Sequence, residues 1–237
     1  MWGLVNDRKK EVFMIYRSLA DINIYDSPNL DRLATQMVRG RYLEVIDPES
    51  NPQENHLKIQ LLEDGYEGWL DRQDLVKFEL SSRQDYLANL PPALSGFEVA
   101  DRLPQVIAYI QKAMATPNQY LWGGTVAPNY DCSGLMQAAF ASVGVWIPRD
   151  TYQQEAFGAA VLFHNLVIGD LIFFGTQKKA THVGIYIGND KYIHSSGKEH
   201  GHNCIAISEF AGLDPVSKWY SKRLRKAARI RASLISS

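Results

Sequence analysis

Two cysteines in 237 residues, Cys132 and Cys204, are too few for a disulfide framework. A balance of 25 Lys and Arg against 26 Asp and Glu leaves none of the cationic excess that nucleic-acid binding requires. Long apolar runs are also missing, so no stretch reads as a membrane span. The opening Met1-Trp2-Gly3-Leu4-Val5-Asn6-Asp7-Arg8-Lys9-Lys10-Glu11 lacks the basic start, apolar core and small-residue cleavage site of a secretory signal, which predicts a cytoplasmic protein. Internal repeats and low-complexity tracts are absent too. Length and composition then fit an ordinary soluble chain of one large domain or two small ones. The basic cluster from Lys218 to Arg231 reads as the solvated face of a terminal element.

The stretch most suggestive of chemistry is Tyr130-Asp131-Cys132-Ser133-Gly134-Leu135. Leu135, Met136, Ala139, Phe140 and Val143 follow it at helical spacing, and Gly144 is a natural stop. Cys132 therefore falls in the first turn of a helix, where unpaired N–H groups and the dipole favour a thiolate. Thr181 to Gly188 reads as a short buried strand headed by His182, and Lys191 to Ser195 as the next, carrying His194 after an Asn189-Asp190 turn. Adjacent antiparallel strands would set His182 beside His194, giving nucleophile, base and orienting group in chain order. Any one of these three residues alone reads as a core residue; their coincidence in one region does not. Cys204 sits in a plain strand context and reads as a small buried apolar residue.

The run Tyr120-Leu121-Trp122-Gly123-Gly124, then Asp131-Cys132-Ser133-Gly134-Leu135, Ile147-Pro148-Arg149-Asp150, Gly169-Asp170-Leu171-Ile172-Phe173-Phe174 and His182-Val183-Gly184-Ile185-Tyr186 resembles the NlpC-type cysteine peptidases of bacterial cell walls. The likeness spans most of residues 101 to 237. It implies a compact papain-like α+β domain with Cys132 as nucleophile, His182 as base and His194 as polar third member. It also implies a substrate, the peptide stem of peptidoglycan, cut between γ-linked D-glutamate and the following diamino acid, such as diaminopimelate. In the family branch that acts on peptides with a free amino end, the residues matching Asp131, Ser133 and Tyr120 face that amine. By their own chemistry Asp131 reads equally as the helix N-cap, and Tyr120 as a core residue.

Before this region the chain is of another kind. Short β-type runs at Val12–Tyr16, Ile22–Tyr25, Tyr42–Ile46, Leu57–Leu62 and Glu67–Leu70 alternate with turns rich in Asp, Asn, Pro and Gly, the pattern of a small all-β barrel or sandwich. Asn23-Ile24-Tyr25, Arg39-Gly40 and Asp64-Gly65-Tyr66-Glu67-Gly68-Trp69-Leu70 resemble the bacterial SH3-like domain that often accompanies these peptidases. The expected organisation is an SH3-like domain over 1–80, a linker over 81–98 marked by Pro91-Pro92 and Ser95-Gly96, and a peptidase domain over 99–237. A helix over Asp101 to Ala115 opens the last, with Pro104 in its first turn.

Arg149 and Asp150 read as an exposed ion pair in a loop, with a bidentate hold on a substrate carboxylate as the functional alternative for Arg149. Glu63, Asp64 and Tyr66 of the late barrel turn are candidates to reach the substrate amine, against plain solvent exposure. His56, His164, His200 and His202 show no zinc-ligand spacing, so neither metal nor cofactor is expected. The expectation is hydrolysis of wall peptides in recycling, with preference for L-Ala-γ-D-Glu-diamino acid peptides bearing a free amine and no nucleic-acid or membrane partner. Two rival readings are an exported wall-remodelling hydrolase anchored by the SH3-like domain, and a non-catalytic module that binds wall peptides.

Overall fold

A computed structural model describes residues 14–47, 51 and 53–234. Its first unit is built from seven strands: β1 (Ile15–Ser18), β2 (Ile22–Tyr25), β3 (Leu33–Met37), β4 (Tyr42–Val45), β5 (His56–Leu61), β6 (Glu67–Asp71) and β7 (Phe78–Ser81). They form one sheet in the order β3-β2-β6-β5-β4-β1-β7. Alternation does the sorting: in β5, Leu57, Ile59 and Leu61 point inward between half-buried His56, Lys58 and Gln60. With Ile22, Ile24, Met37, Leu43, Val45 and Leu70 they make the barrel core. Strands β3 and β7 carry no alternation strong enough to have marked them in the sequence. Val12 and Phe13, the start of the first expected run, lie outside the described residues.

The segment expected as a linker is not extended throughout. It holds α1 (Arg83–Ala88), started by a reciprocal Ser82–Asp85 capping box. Tyr86 of α1 is buried against Ile15, Tyr42 and Leu62, and its hydroxyl donates to the Leu62 carbonyl at 2.8 Å. One buried aromatic thus docks this segment on the barrel. The long helix α2 (Gly96–Ala115) begins earlier than its apolar spacing suggested, because Ser95 and Glu98 form a second capping box. Pro104 consequently lies inside the helix rather than in its first turn.

The second unit adds the hairpin β8 (Thr125–Val126) and β9 (Asn129–Tyr130), then α3 (Cys132–Ala141), α4 (Thr151–Phe157), β10 (Ala159–Val161), β11 (Leu171–Gly175), β12 (Ala180–Gly188), β13 (Lys191–Ser196), β14 (Cys204–Glu209), α5 (Pro215–Ser221) and β15 (Leu224–Arg229). Six of these strands form a sheet ordered β10-β15-β11-β12-β13-β14. Helix α3 packs on it, with Leu135, Met136, Ala139 and Phe140 in one apolar cluster with Val183, Ile185 and Ile193. The turn between β12 and β13 is left-handed at both Asn189 and Asp190, φ 53 and 57, which is the backbone a two-residue hairpin needs. A bulge between Tyr186 and Gly188 then shifts the register by one, to Tyr186↔Tyr192 and Ile185↔Ile193, so that His194 and His182 share a face. The terminal basic cluster is partly internal: Arg225 pairs with Glu155 and Arg229 with buried Asp170, each at 2.7 Å.

The two units are stitched together. Gln36 of β3 and Thr125 of β8 exchange hydrogen bonds in both directions, from Gln36 N to Thr125 Oγ1 at 3.1 Å and from Thr125 N to Gln36 Oε1 at 3.1 Å. Gly123, at φ +78, lies against Leu33, where an added Cβ would stand 2.7 Å from the Leu33 carbonyl oxygen. Only glycine suits both that conformation and that approach. Asp64 of the barrel accepts from Gln137 of α3 at 2.7 Å.

Candidate active site

The start of α3 is fixed by Asp131. Its Oδ1 accepts the Gly134 N–H at 2.6 Å and its Oδ2 accepts the Gly123 N–H at 2.9 Å. Gly134 is required there because a side chain would run into the Gly124 carbonyl oxygen. Arg149 completes the arrangement, donating to Oδ2 at 2.6 Å, to Oδ1 at 3.2 Å, to Ser133 Oγ at 2.9 Å and, across the domain boundary, to Thr35 Oγ1 at 2.8 Å. Arg149 is therefore buried and paired with Asp131, not an exposed partner of Asp150. Its nitrogens are occupied by protein groups, which corrects its assignment as a hold for a substrate carboxylate.

Cys132 stands in the first turn of α3. Its sulfur lies 3.7 Å from the Thr151 hydroxyl and meets the backbone N–H of Val183, the residue after His182. His182 is stacked on Tyr220, centroids 4.3 Å apart. Its Nε2 is 2.7 Å from His194 Nδ1, so the nitrogen left for a thiol proton is Nδ1. The series continues: His194 Nε2 lies 2.9 Å from Ser208 Oγ, which lies 3.3 Å from Nε2 of exposed His202.

Electrostatics depart from the thiolate expected at a helix start. Burial, with the adjacent Asp131 charge, pushes the Cys132 thiol up to about 11, although the Thr151 hydroxyl, the Val183 N–H and Arg149 ease it. Burial likewise pushes His182 down to about 3 and His194 well below its ordinary value, the latter helped by its histidine neighbours. Desolvation outweighs the dipole of the first turn, so the resting pair is a neutral thiol and a neutral imidazole.

Two cavities flank this pair. The first, about 350 Å³, is lined by Cys132, Ser133, Asp131, Tyr120, Asp150 and Lys179, and closed on one side by Asp26, Arg32, Ala34 and Tyr66 of the barrel. The second, about 620 Å³, is lined by His182 and Tyr220. Tyr120, Trp122 and Thr181 border both.

A cysteine at a capped helix start, with a histidine pair on neighbouring strands, coincides with the span that matches the NlpC/P60 family model, residues 117–223. Residues 117–223 form an NlpC/P60 domain. Residues 24–75 match the bacterial dipeptidyl-peptidase SH3 domain. The chain is similar to a murein DD-endopeptidase/murein LD-carboxypeptidase, MepS, of Escherichia coli K12, 42% identical over 79 residues, covering 33% of this chain and 42% of that one. A gamma-D-glutamyl-L-lysine dipeptidyl-peptidase of Bacillus cereus is 40% identical over 102 residues, covering 39% of this chain and 31% of that one. The chain thus spans less than half the length of these curated relatives. A solved NlpC/P60 family structure from Bacillus cereus aligns with a TM-score of 0.46 at 22% identity, over 92% of this chain and 64% of that chain.

Within the NlpC/P60 domain the first cavity gathers Tyr120, Asp131, Cys132 and Ser133, and the barrel contributes Tyr66. Burial and the nearby Asp150 charge push the Tyr66 phenol up to about 12, so it stays a donor. Burial holds Tyr120 protonated as well, reinforced by Cys132 and Asp131. The other two barrel candidates are engaged elsewhere. Glu63 accepts from Arg41 at 3.0 Å and from the Tyr42 N–H at 2.7 Å, and Asp64 pairs with Arg41 at 3.0 Å and with Gln137. Their buried ionic network holds the domains together rather than facing the cleft, a correction to both assignments. Thr151, Lys179, Ser208 and Tyr220 gave no recognisable signal in the sequence. Each reaches the site from a different element, and no local spacing links them to Cys132.

Proposed function

We propose that the protein is a cysteine peptidase that hydrolyses the amide between γ-linked D-glutamate and a diamino acid in peptidoglycan stem peptides. The observation that carries this reading is the placement of Cys132 at the start of α3 against the Val183 N–H, next in sequence to His182, whose Nε2 pairs with His194 Nδ1 at 2.7 Å. His182 Nδ1 takes the thiol proton as sulfur attacks the carbonyl carbon, and N–H groups at the start of α3 hold the oxyanion. The imidazolium then protonates the leaving amine, and water, activated by the same nitrogen, releases the acyl group. A neutral resting pair means that proton transfer accompanies attack rather than preceding it.

The cleft favours short released peptides. Its far end is walled by the barrel, and Tyr66 and Asp150 lie there; Arg149 hydrogen-bonds Asp131, while Asp150 feels it only as a nearby charge. Burial, with the like charge of Asp131, holds Asp150 above its ordinary value despite Arg149 and Lys179. An incoming ammonium relieves that cost. Asp150 with Tyr66 therefore takes the role first given to Asp131 with Ser133, that of reading the free amine of L-Ala. Lys179, held 3.9 Å over the Tyr152 ring on the same wall, suits the free α-carboxylate of γ-linked D-glutamate. A site limited to released fragments fits recycling inside the cell better than cutting of the intact wall.

The test is mass analysis of products from L-Ala-γ-D-Glu-diamino acid with and without an acetylated amine. Cleavage of the free peptide and sharply reduced cleavage of the acetylated one is expected. Equal cleavage of both would remove the amine gate and the recycling reading.

A further inference from the structure

Beyond His194 the hydrogen-bonded series does not end on a buried acceptor; it reaches the surface. His194 Nε2 lies 2.9 Å from Ser208 Oγ, and Ser208 Oγ lies 3.3 Å from His202 Nε2. Ser208 stands opposite Tyr192 in the β13–β14 ladder, so its side chain shares a face with His194, two residues along from Tyr192. Ser208 is buried, as are His182 and His194 behind it, whereas His202 is exposed. His202 is also held in place: its N–H donates to Ser196 Oγ at 2.9 Å, and its ring meets that of His194 edge to face at 5.9 Å. An unbroken series of side chains thus connects His182 to solvent, and orienting the base would have needed only its first link.

We infer that His202 is the outer end of a proton relay, which carries the positive charge of the reaction out of the buried histidine pair. The inference rests on the proposed hydrolysis. As His182 Nδ1 takes the thiol proton, its Nε2 gives a proton to His194 Nδ1 and His194 Nε2 gives one to Ser208 Oγ. The Ser208 hydroxyl then gives its own to His202 Nε2. Each intermediate group gains one proton and loses one, so both buried rings end neutral and the charge stands on His202. When His182 Nδ1 protonates the leaving amine, each transfer runs in reverse.

Desolvation supplies the reason. A cation kept on His182 is stripped of water, and burial holds that ring down at about 3. On His202 the same charge is solvated. Facing His202 are His194 from β13 and, from the start of α5, the Asp214 carboxylate, which favours a proton there. The Tyr192 phenol borders Ser208 and is kept protonated by burial, so it does not divert the charge. The relay needs a neutral His202 to receive the proton. Its rate therefore falls as pH drops through the titration of His202, although His182 itself stays neutral down to about 3.

The experiment measures kcat and KM of the full chain on L-Ala-γ-D-Glu-diaminopimelate across the acid range, beside an NMR titration of the His202 ring. The acid limb of kcat is expected to coincide with that titration. His202→Gln keeps a side chain able to hydrogen-bond Ser208 but unable to take up a proton. It is expected to lower kcat about three- to tenfold above the limb, less than loss of the base itself, to leave KM in place and to abolish the limb. Ser208→Ala should do the same, and the two substitutions together no more than either alone. A role confined to positioning would be rescued by glutamine and would leave the limb where it was. An acid limb unchanged in His202→Gln overturns the inference, even if kcat has fallen, and leaves the hydrolase reading standing. Failure of the unaltered protein to cleave the peptide at any pH overturns both.

Discussion

Arg149 and Asp131 face each other through hydrogen bonds of 2.6 and 3.2 Å, both side chains almost wholly buried, immediately beside Cys132. The same carboxylate caps α3 and the same guanidinium reaches Thr35 of the barrel, so one ion pair orients the cysteine and joins the two domains. Removing either partner strands a buried charge. Asp131→Asn and Arg149→Met are each expected to cost about 3–5 kcal/mol of stability, read from urea midpoints. A loss under 1 kcal/mol for both would mean that water replaces the missing partner.

Cys132→Ala is expected to abolish hydrolysis with the fold retained, and Cys204→Ala to leave hydrolysis nearly intact, since Cys204 lies at the start of β14 and lines neither cavity. Because burial raises the Cys132 thiol to about 11, its alkylation by iodoacetamide is expected to be slow at neutral pH and to accelerate as pH rises towards that value. Rapid labelling at pH 7 would show a resting thiolate instead.

Stability is expected to follow a dome in pH. His182 and His194 are held neutral in the folded chain, with His182 at about 3 against an ordinary 6.5, so the unfolded chain binds more protons and stability falls as pH drops from about 6.5 towards 3. Cys132 has the opposite sense. Its thiol is raised from 9.0 to about 11, so stability falls again as pH rises through that window. Denaturant midpoints of the unaltered protein and of Cys132→Ala separate the two limbs: the substitution should weaken the alkaline fall, to which the raised Tyr66 phenol also contributes, and leave the acid one unchanged.

The histidine series predicts graded losses. His182→Ala removes the base and is expected to lower kcat on the order of 10²–10⁴-fold. His194→Ala should cost less, since an orienting group fixes only the tautomer and ring position of the base. Ser208→Ala, one bond further out at 2.9 Å from His194, should cost less again and act on kcat rather than KM. Equal losses for His182→Ala and His194→Ala would show that the two share the proton.

Asp150→Asn is expected to narrow the rate difference between free and acetylated peptides, while Lys179→Ala should weaken binding of both alike. An unchanged acetylation effect in Asp150→Asn would return amine recognition to another group of the cavity.

Cys132, His182 and His194 were legible because each occupies a position with a local signature: a helix start, and two strands joined by an Asn-Asp turn. The turn could be read without the fold, but the bulge between Tyr186 and Gly188 that shifts the register and brings His194 to His182 could not. Arg149 shows the opposite case. Its neighbour in sequence, Asp150, suggested a surface pair, yet its true partners lie 18 residues earlier at Asp131 and 114 earlier at Thr35. Glu63 and Asp64 misled for the same reason. An acidic turn reads as solvated until a distant Arg41 is folded onto it.

The sequence by itself determined the barrel strands with strong alternation, helix α3 and the hairpin that carries both histidines, because periodicity and turn chemistry act over a few residues. Tertiary structure alone decided the charge state of the thiol, the partner of Asp131 and the lining of both cavities. Desolvation and ion pairing depend on what packs against a group from all sides, and for Cys132 those sides are supplied by Asp131, Thr151 and Val183 together.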